Sequence, residues 1–336
     1  MDYIIKDDTI IFSPEYNRQI DTNLLTNCKK IIFSNYELDD YIFDKYNFGN
    51  LYELRYVQSK FNYSVNNLPN SLIHLTFGHA FNYIVDKLPE YLTHLIFGWT
   101  FNQSVDKLPQ YLTYLIFSES FNNSVDNLPE YLTHLTFGWK FNKQVDNLPK
   151  TLTFLFFNFN FNHSVDKLPN SLTHLTFGSE FNHSVDNLPS SLYCLTFGWK
   201  FNQKIDNLPS NLTYLTIDYN FNKKVNLPHN IKYLNLRCNN QYIIDYLPDG
   251  IEELEFGMNF TLELNNLPST IKKIVFPICC RYNKELNCLP NFVELIQLPR
   301  YYDKKILKIP KELKKIICHE NYKFIKDFDN VETYFQ

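Results

Sequence analysis

The sequence predicts a β-rich solenoid: a stack of about fifteen 20-residue units, each holding one short parallel strand and little helix. Three observations predict it. First, the chain repeats in phase every 20 residues, with Phe recurring at Phe61, Phe81, Phe101 and on to Phe221. Second, each regular unit carries Pro at its ninth position, from Pro69 to Pro209, and often Gly at its eighteenth, so no uninterrupted helix-length stretch survives. Third, the piece between them alternates, as in Leu132-Thr-His-Leu-Thr-Phe137, which puts Leu135 and Phe137 on one side.

The unit reads F-N-x-x-V-D-x-L-P-x-x-L-T-x-L-x-F-G-x-x, with apolar residues at positions 1, 5, 8, 12, 15 and 17. Positions 12 to 17 are rich in Thr, Ile, Phe and Tyr and form the strand. Positions 1 to 8 return the chain in an extended or polyproline-like limb, because the residue before Pro avoids helical geometry. One unit cannot fold alone. Ordering each residue costs about 1–2 kcal/mol of backbone entropy, while burying each large apolar side chain returns about 1.5–3 kcal/mol. Stability therefore comes from stacking.

The flanks are the same unit, decayed. Leu247-Pro248, Leu267-Pro268, Leu289-Pro290 and Ile309-Pro310 keep the Leu-Pro signature downstream, and Tyr16-Asn17-Arg18-Gln19-Ile20-Asp21 varies F-N-x-x-V-D upstream. Ile31 and Phe33 take the places of Leu75 and Phe77. The organisation expected is one continuous domain: degenerate capping repeats over 1–60, regular repeats over 61–240, and degenerate repeats with a C-terminal cap over 241–336.

Asn at position 2 reads as a ladder in which each side-chain amide bonds backbone at the bend and repeats from unit to unit. Asn62, Asn102, Asn122, Asn162 and Asn182 also match the glycan-acceptor pattern N-x-S/T. A laddered Asn should be inaccessible, so these matches read as by-products of the repeat. Asp at position 6 forms a column of like charge, from Asp86 to Asp206; Lys or Asn beside it suggests a solvated, compensated face.

The F-N-x-x-V-D-x-L-P-x-x-L-T-x-L-x-F-G unit resembles the FNIP repeat, whose name abbreviates its Phe-Asn-(Ile)-Pro signature, and L-P-x-x-L-x-x-L resembles the short leucine-rich repeat. The resemblance implies a leucine-rich-repeat-like solenoid of the kind found in social amoebae and in giant viruses of amoebae. It also implies a role in protein–protein interaction. Family members often carry an F-box and are regarded as substrate adaptors of ubiquitin ligases. Residues 1–60 read here as decayed repeats, with strand-like Thr9–Phe12 and Lys30–Phe33. The alternative role, substrate receptor for a ubiquitin-ligase system, would thus need the F-box from another chain.

No nucleophile–base set, metal cluster or phosphate loop is recognisable, so no catalytic, cofactor or metal residue is assigned and the chain is expected not to be an enzyme. The formal net charge of −4 carries no global nucleic-acid footprint, and no apolar run is long enough to cross a membrane. Seven scattered cysteines read as reduced thiols in a cytoplasmic protein. What remains is the strand face. Positions 13, 14 and 16 point to its open side and form an uncharged Thr, His and aromatic stripe. Its candidate interaction residues are His74, His94, Tyr114, His134, Phe154, Phe156, His174 and Tyr214. The expectation is a monomer that presents this stripe to an unidentified protein partner.

Overall fold

In the computed structural model, which describes residues 2–33 and 59–336, the chain forms two compact units, Met1–Leu172 and Thr173–Gln336. Each is a parallel β-solenoid. The first carries β1 (Tyr3–Lys6), β2 (Thr9–Phe12), β3 (Lys30–Ile32), β4 (His74–Thr76), β5 (His94–Ile96), β6 (Tyr114–Ile116), β7 (His134–Thr136) and β8 (Phe154–Phe156). Strands β2 to β8 pair in parallel with no slip of register: Ile31, Leu75, Leu95, Leu115, Leu135 and Leu155 stand one above another. The part of the expected N-terminal cap over 34–58 lies outside the described residues.

The second unit repeats the plan with β9 (His174–Thr176), β10 (Cys194–Thr196), β11 (Tyr214–Ile217), β12 (Tyr233–Leu236), β13 (Glu253–Phe256), β14 (Lys273–Val275), β15 (Leu295–Gln297), β16 (Lys315–Cys318) and β17 (Glu332–Phe335). Leu175, Leu195, Leu215, Leu234, Leu254, Ile274, Ile296 and Ile316 share one column, so the decayed repeats hold the same register as the regular ones.

Each coil closes on two backbone turns. The carbonyl of Pro at position 9 accepts from the amide at position 12, as Pro89 does from Leu92 at 3.2 Å. The carbonyl at position 18 accepts from the Phe that opens the next coil, as Gly98 does from Phe101 at 3.2 Å. Pro supplies the first turn at no cost because only its carbonyl is needed. Position 18 also holds Ser118, Asn158 and Asp218, but at Gly98 the coils approach closely: a Cβ there would stand 1.8 Å from the Gly78 carbonyl oxygen of the coil before. Gly98→Ala is therefore expected to cost about 1–3 kcal/mol, the usual range for overpacking. Urea unfolding tests this, and a neutral result would mean the coils separate more easily than their ladder implies.

The core is aromatic. Phe at position 17 stacks on Phe at position 1 of the following coil, with centroids 3.6 Å apart for Phe77–Phe81 and Phe97–Phe101 and 3.7 Å for Phe137–Phe141. Each ring also meets its equivalent one coil on, at 6.1 Å for Phe121–Phe141. The second unit does the same, at 3.8 Å for Phe177–Phe181.

The Asn ladder forms. The amide of Asn82 donates to Asn62 Oδ1 at 2.9 Å, and the pattern continues through Asn102, Asn122, Asn142 and Asn162. Asn202 and Asn222 continue it in the second unit. One expectation about it fails: Asn62, Asn102, Asn142 and Asn182 are exposed. The bond consumes only Oδ1, and the bend it pins lies on the outer surface. The Asp column is compensated across coils. Lys107 reaches Asp86 and Lys167 reaches Asp146, each at 2.9 Å, while Asn127 donates to Asp106 at 3.1 Å. Both Asn127 and Ser104 hold the Asp106 carboxyl below the ordinary range.

Two local departures have physical causes. Strand β1 runs antiparallel to β2, because only Asp7 and Asp8 separate them and Asp7 takes a positive φ of 52°, a tight hairpin turn rather than a coil. One return limb is helical, α1 (Gln241–Asp245), where Asn240 caps the first turn by accepting from the Ile243 amide.

Candidate functional site

The strand face carries the predicted stripe, and the zero-slip register decides what the stripe becomes. In the first unit, position 14 lies directly above position 14 on every strand. His74, His94, Tyr114, His134 and Phe154 therefore make one row of stacked rings, with centroids 4.2, 5.2, 5.8 and 4.4 Å apart. All five are half-buried. The Thr at position 13 fixes the histidines: Thr93 Oγ1 lies 2.8 Å from His94 Nδ1, and Thr133 Oγ1 lies 2.8 Å from His134 Nδ1. The same hydroxyls donate to position-13 carbonyls one coil back, at 3.3 Å for Thr93 and 3.0 Å for Thr133, and Thr113 does so at 3.2 Å. The Thr column thus anchors the row and belongs to its support.

Position 16 is less open than the sequence reading expects. Thr76, Ile96, Ile116 and Thr136 are buried, Ile116 to 1% exposure, and Phe156 is half-buried beside Thr136. Neighbours stand about 4.8 Å above and below in such a ladder. A short branched side chain is covered by them, whereas a ring at position 14 reaches past.

In the second unit the row is broken. His174 is in register with Cys194, whose thiol is pushed up to about 11 by burial and so stays protonated at neutral pH. Tyr214 stacks instead on Tyr233, at 4.1 Å and nearly parallel. Beyond Tyr233 the face becomes an ion-pair ladder. Lys232 and Lys272 flank Glu252 at 3.1 and 2.9 Å, Lys273 meets Glu253 at 2.9 Å, and Lys314 meets Glu294 at 2.7 Å. The charges there satisfy one another from coil to coil.

Burial holds His134 below the ordinary histidine pKa. The folded protein thus binds that proton less tightly than the unfolded chain, where histidine titrates near 6.5. Stability from this group is complete above that value, falls as pH drops through it, and levels off below the lower folded value. Wild type should therefore lose more melting temperature than His134→Phe between about pH 7.5 and about pH 5. Parallel curves for the two proteins would show that His134 is not buried as described.

A second aromatic row was not anticipated. Tyr91, Tyr111 and Tyr131, at position 11, stack at 5.7 and 6.1 Å while staying about half exposed. Position 11 elsewhere holds Thr, Ser or Asn, as in Thr151, Ser171 and Asn211, so only the three consecutive tyrosines signal it. Among the described residues no group of three or more His, Cys, Asp or Glu is placed to hold a metal ion, and no helix is long and apolar enough to cross a membrane.

The FNIP repeat model matches residues 83–120, 121–160, 159–200, 201–239, 223–259 and 239–278. Among solved structures, the chain is similar to CroV588, described as a novel circular LRR protein. The identity is 28% and the TM-score 0.55, over 93% of this chain and 56% of that one. It is also similar to YopM from Yersinia enterocolitica WA-314, at 19% identity and TM-score 0.44, over 75% of this chain and 65% of that one. The functional domain of InlJ from Listeria monocytogenes matches at 14% identity and TM-score 0.42, over 78% and 61%. This chain spans less than two thirds of each of those three chains. No curated protein matches it.

Proposed function

The chain belongs to the FNIP repeat family, and we propose that it is a non-catalytic scaffold that binds a protein partner through the strand face of its first unit. The observation that carries this reading is the row His74, His94, Tyr114, His134 and Phe154: five stacked, half-buried rings without a formal charge at neutral pH, held in place by a hydrogen-bonded Thr column. Rigid aromatic side chains lose little conformational entropy on binding and dominate interface energetics. Phe156 borders the row, and His174 and Tyr214 carry the same chemistry on the second unit, each against the Tyr193 ring. The partner is a protein rather than nucleic acid, because phosphate recognition needs basic residues along the stripe, and strands β4 to β8, which carry the row, hold no Lys or Arg. Two of the seven thiols, Cys279 and Cys288, are exposed, which suits a reducing compartment such as the cytosol.

Affinity capture from an amoebal lysate tests the reading, with and without nuclease. A protein retained after nuclease, whose binding protects His94 and His134 from diethylpyrocarbonate, is the expected result. Captured RNA that leaves on salt or nuclease would overturn it. Recovery of ubiquitin-ligase subunits would narrow the scaffold to a substrate receptor of such a ligase.

A further inference from the structure

One carboxylate of the first unit sits where the repeat favours a ring. Position 19 carries His79, Trp99, Glu119, Trp139 and Phe159 on five consecutive coils. The amides at position 20 tie these coils together at that point. Ser120 donates to the Trp99 carbonyl at 3.0 Å, Lys140 to the Glu119 carbonyl at 2.9 Å, and Asn160 to the Trp139 carbonyl at 3.0 Å. The side chains of the column point alike, since Trp99 stacks on His79 at 5.6 Å and Trp139 on Phe159 at 4.6 Å. One face of each indole is thereby covered. The opposite faces of Trp99 and Trp139 are turned toward Glu119, one from each side.

Glu119 is only 9% exposed, the one buried carboxylate among the described residues. The repeat does not require an acid there, because the regular coils of the second unit place Ser179, Trp199 and Tyr219 at the same position. Drawing a carboxylate out of water is costly and favours a cation close by. The two rings select which cation. An indole reaches farther from the backbone than a glutamate, so Trp99 and Trp139 wall a slot with the carboxylate at its floor. They stand two coils apart, about 10 Å at a strand spacing of about 4.8 Å. A cation midway lies about 5 Å from each ring, inside the reach of about 6 Å over which an indole face attracts positive charge. A flat guanidinium makes contact at about 3.5–4.0 Å and would touch one ring alone. A lysine ammonium is compact and holds its water strongly. An ammonium with three methyl groups is broad enough to meet both faces and sheds its water more easily.

We propose that Trp99, Glu119 and Trp139 form a binding site for a quaternary ammonium head, of the kind carried by choline or by a trimethylated lysine side chain. The two indoles hold the methyl groups, and the carboxylate supplies the opposite charge. The site lies past the strand ends, since β6 ends at Ile116 and β7 at Thr136. It shares no residue with the ring row at position 14 and does not depend on that row being an interface.

Tryptophan fluorescence of the full 336-residue chain, titrated to about 10 mM ligand, tests this. The probes are choline and the N-acetyl amide of trimethyl-lysine. The controls are the same amides of lysine and arginine, and 3,3-dimethylbutanol, the uncharged carbon isostere of choline. Saturable quenching by both quaternary probes is expected, with every control at least about tenfold weaker. Tighter choline would assign the site to a free or lipid headgroup, and tighter trimethyl-lysine to a modified protein; either supports the site. Glu119→Gln keeps the shape and removes the charge, and should weaken choline about tenfold. Trp139→Leu should do the same while Trp99 still reports. Trp199→Leu, at an exposed ring in the second unit, should leave the affinity unchanged. The proposal is overturned if neither quaternary probe saturates, if the carbon isostere or the arginine amide binds as well as choline, or if a folded Glu119→Gln keeps full affinity. Should that variant lose its circular dichroism, the comparison of choline with its isostere on the wild-type chain decides.

Discussion

Phe141→Ala is expected to lose about 3–5 kcal/mol of unfolding free energy, the upper range for truncating a buried ring. Phe141 is fully buried, lies 3.7 Å from Phe137 in a near-parallel stack, and meets Phe121 and Phe161 at 6.1 Å on either side. Removing it opens a cavity in both ring columns at once. The hydrogen-bonded ladder around it, with the Phe137 amide on the Phe156 carbonyl at 2.9 Å and the Asn142 amide on Asn122 Oδ1, limits how far the coils can collapse into the gap. The control is Lys143, exposed on the return limb, where replacement by Ala should stay within about 0.5 kcal/mol. Urea unfolding of the two variants against wild type measures both. Equal losses would show that the inside and outside of the coil are wrongly assigned.

Phe154→Asp combined with Phe156→Asp is expected to abolish partner capture while the solenoid stays folded. Phe154 ends the ring row of the first unit, 4.4 Å from His134, and Phe156 stands beside it on β8. Both are half-buried, so the change places charge where a docked partner would exclude water. Burying an unpaired charge costs several kcal/mol, against about 8 kcal/mol for a whole micromolar complex. Asp146→Lys, on the return limb beside Lys167, should leave capture intact. A milder pair, Phe154→His with Phe156→Thr, copies the residues that His134 and Thr136 place one coil earlier; it should fold and weaken capture less. A double Asp variant that keeps its melting temperature and still captures the same protein would remove the stripe as the interface. The exposed row Tyr91, Tyr111 and Tyr131 would then be the next surface to test.

Much of this architecture is legible in the repeat because a repeat converts sequence spacing into space. Once each 20-residue unit makes one strand and one return, residues 20 apart must become neighbours. That alone puts Asn82 on Asn62, Leu95 beside Leu75 and Lys107 against Asp86, the last by a spacing of 21. The same logic fails where the unit is too decayed to count. Tyr3–Lys6 follows no repeat, and its antiparallel pairing depends on a two-residue turn at Asp7-Asp8. The helical limb at Gln241–Asp245 depends on the cap that Asn240 provides.

By itself, the sequence determined the solenoid, its register, the aromatic columns and the Asn ladder, since these follow from periodicity and from which side of a strand a residue must take. The tertiary structure alone decided exposure. Thr76, Ile96, Ile116 and Thr136 share a strand face with His74, His94, Tyr114 and His134, yet the first four are buried and the last four half-buried. The laddered Asn102 and Asn142 are bonded through Oδ1 and still exposed. Ile4, Ile5, Tyr334 and Phe335 are apolar residues in strands, as the core residues are, and lie at the surface because no coil covers them on one side among the described residues. The reason is physical. Direction from the backbone is a local property, fixed by one strand's pleat, whereas burial is set by how tall the neighbours above, below and beside happen to stand.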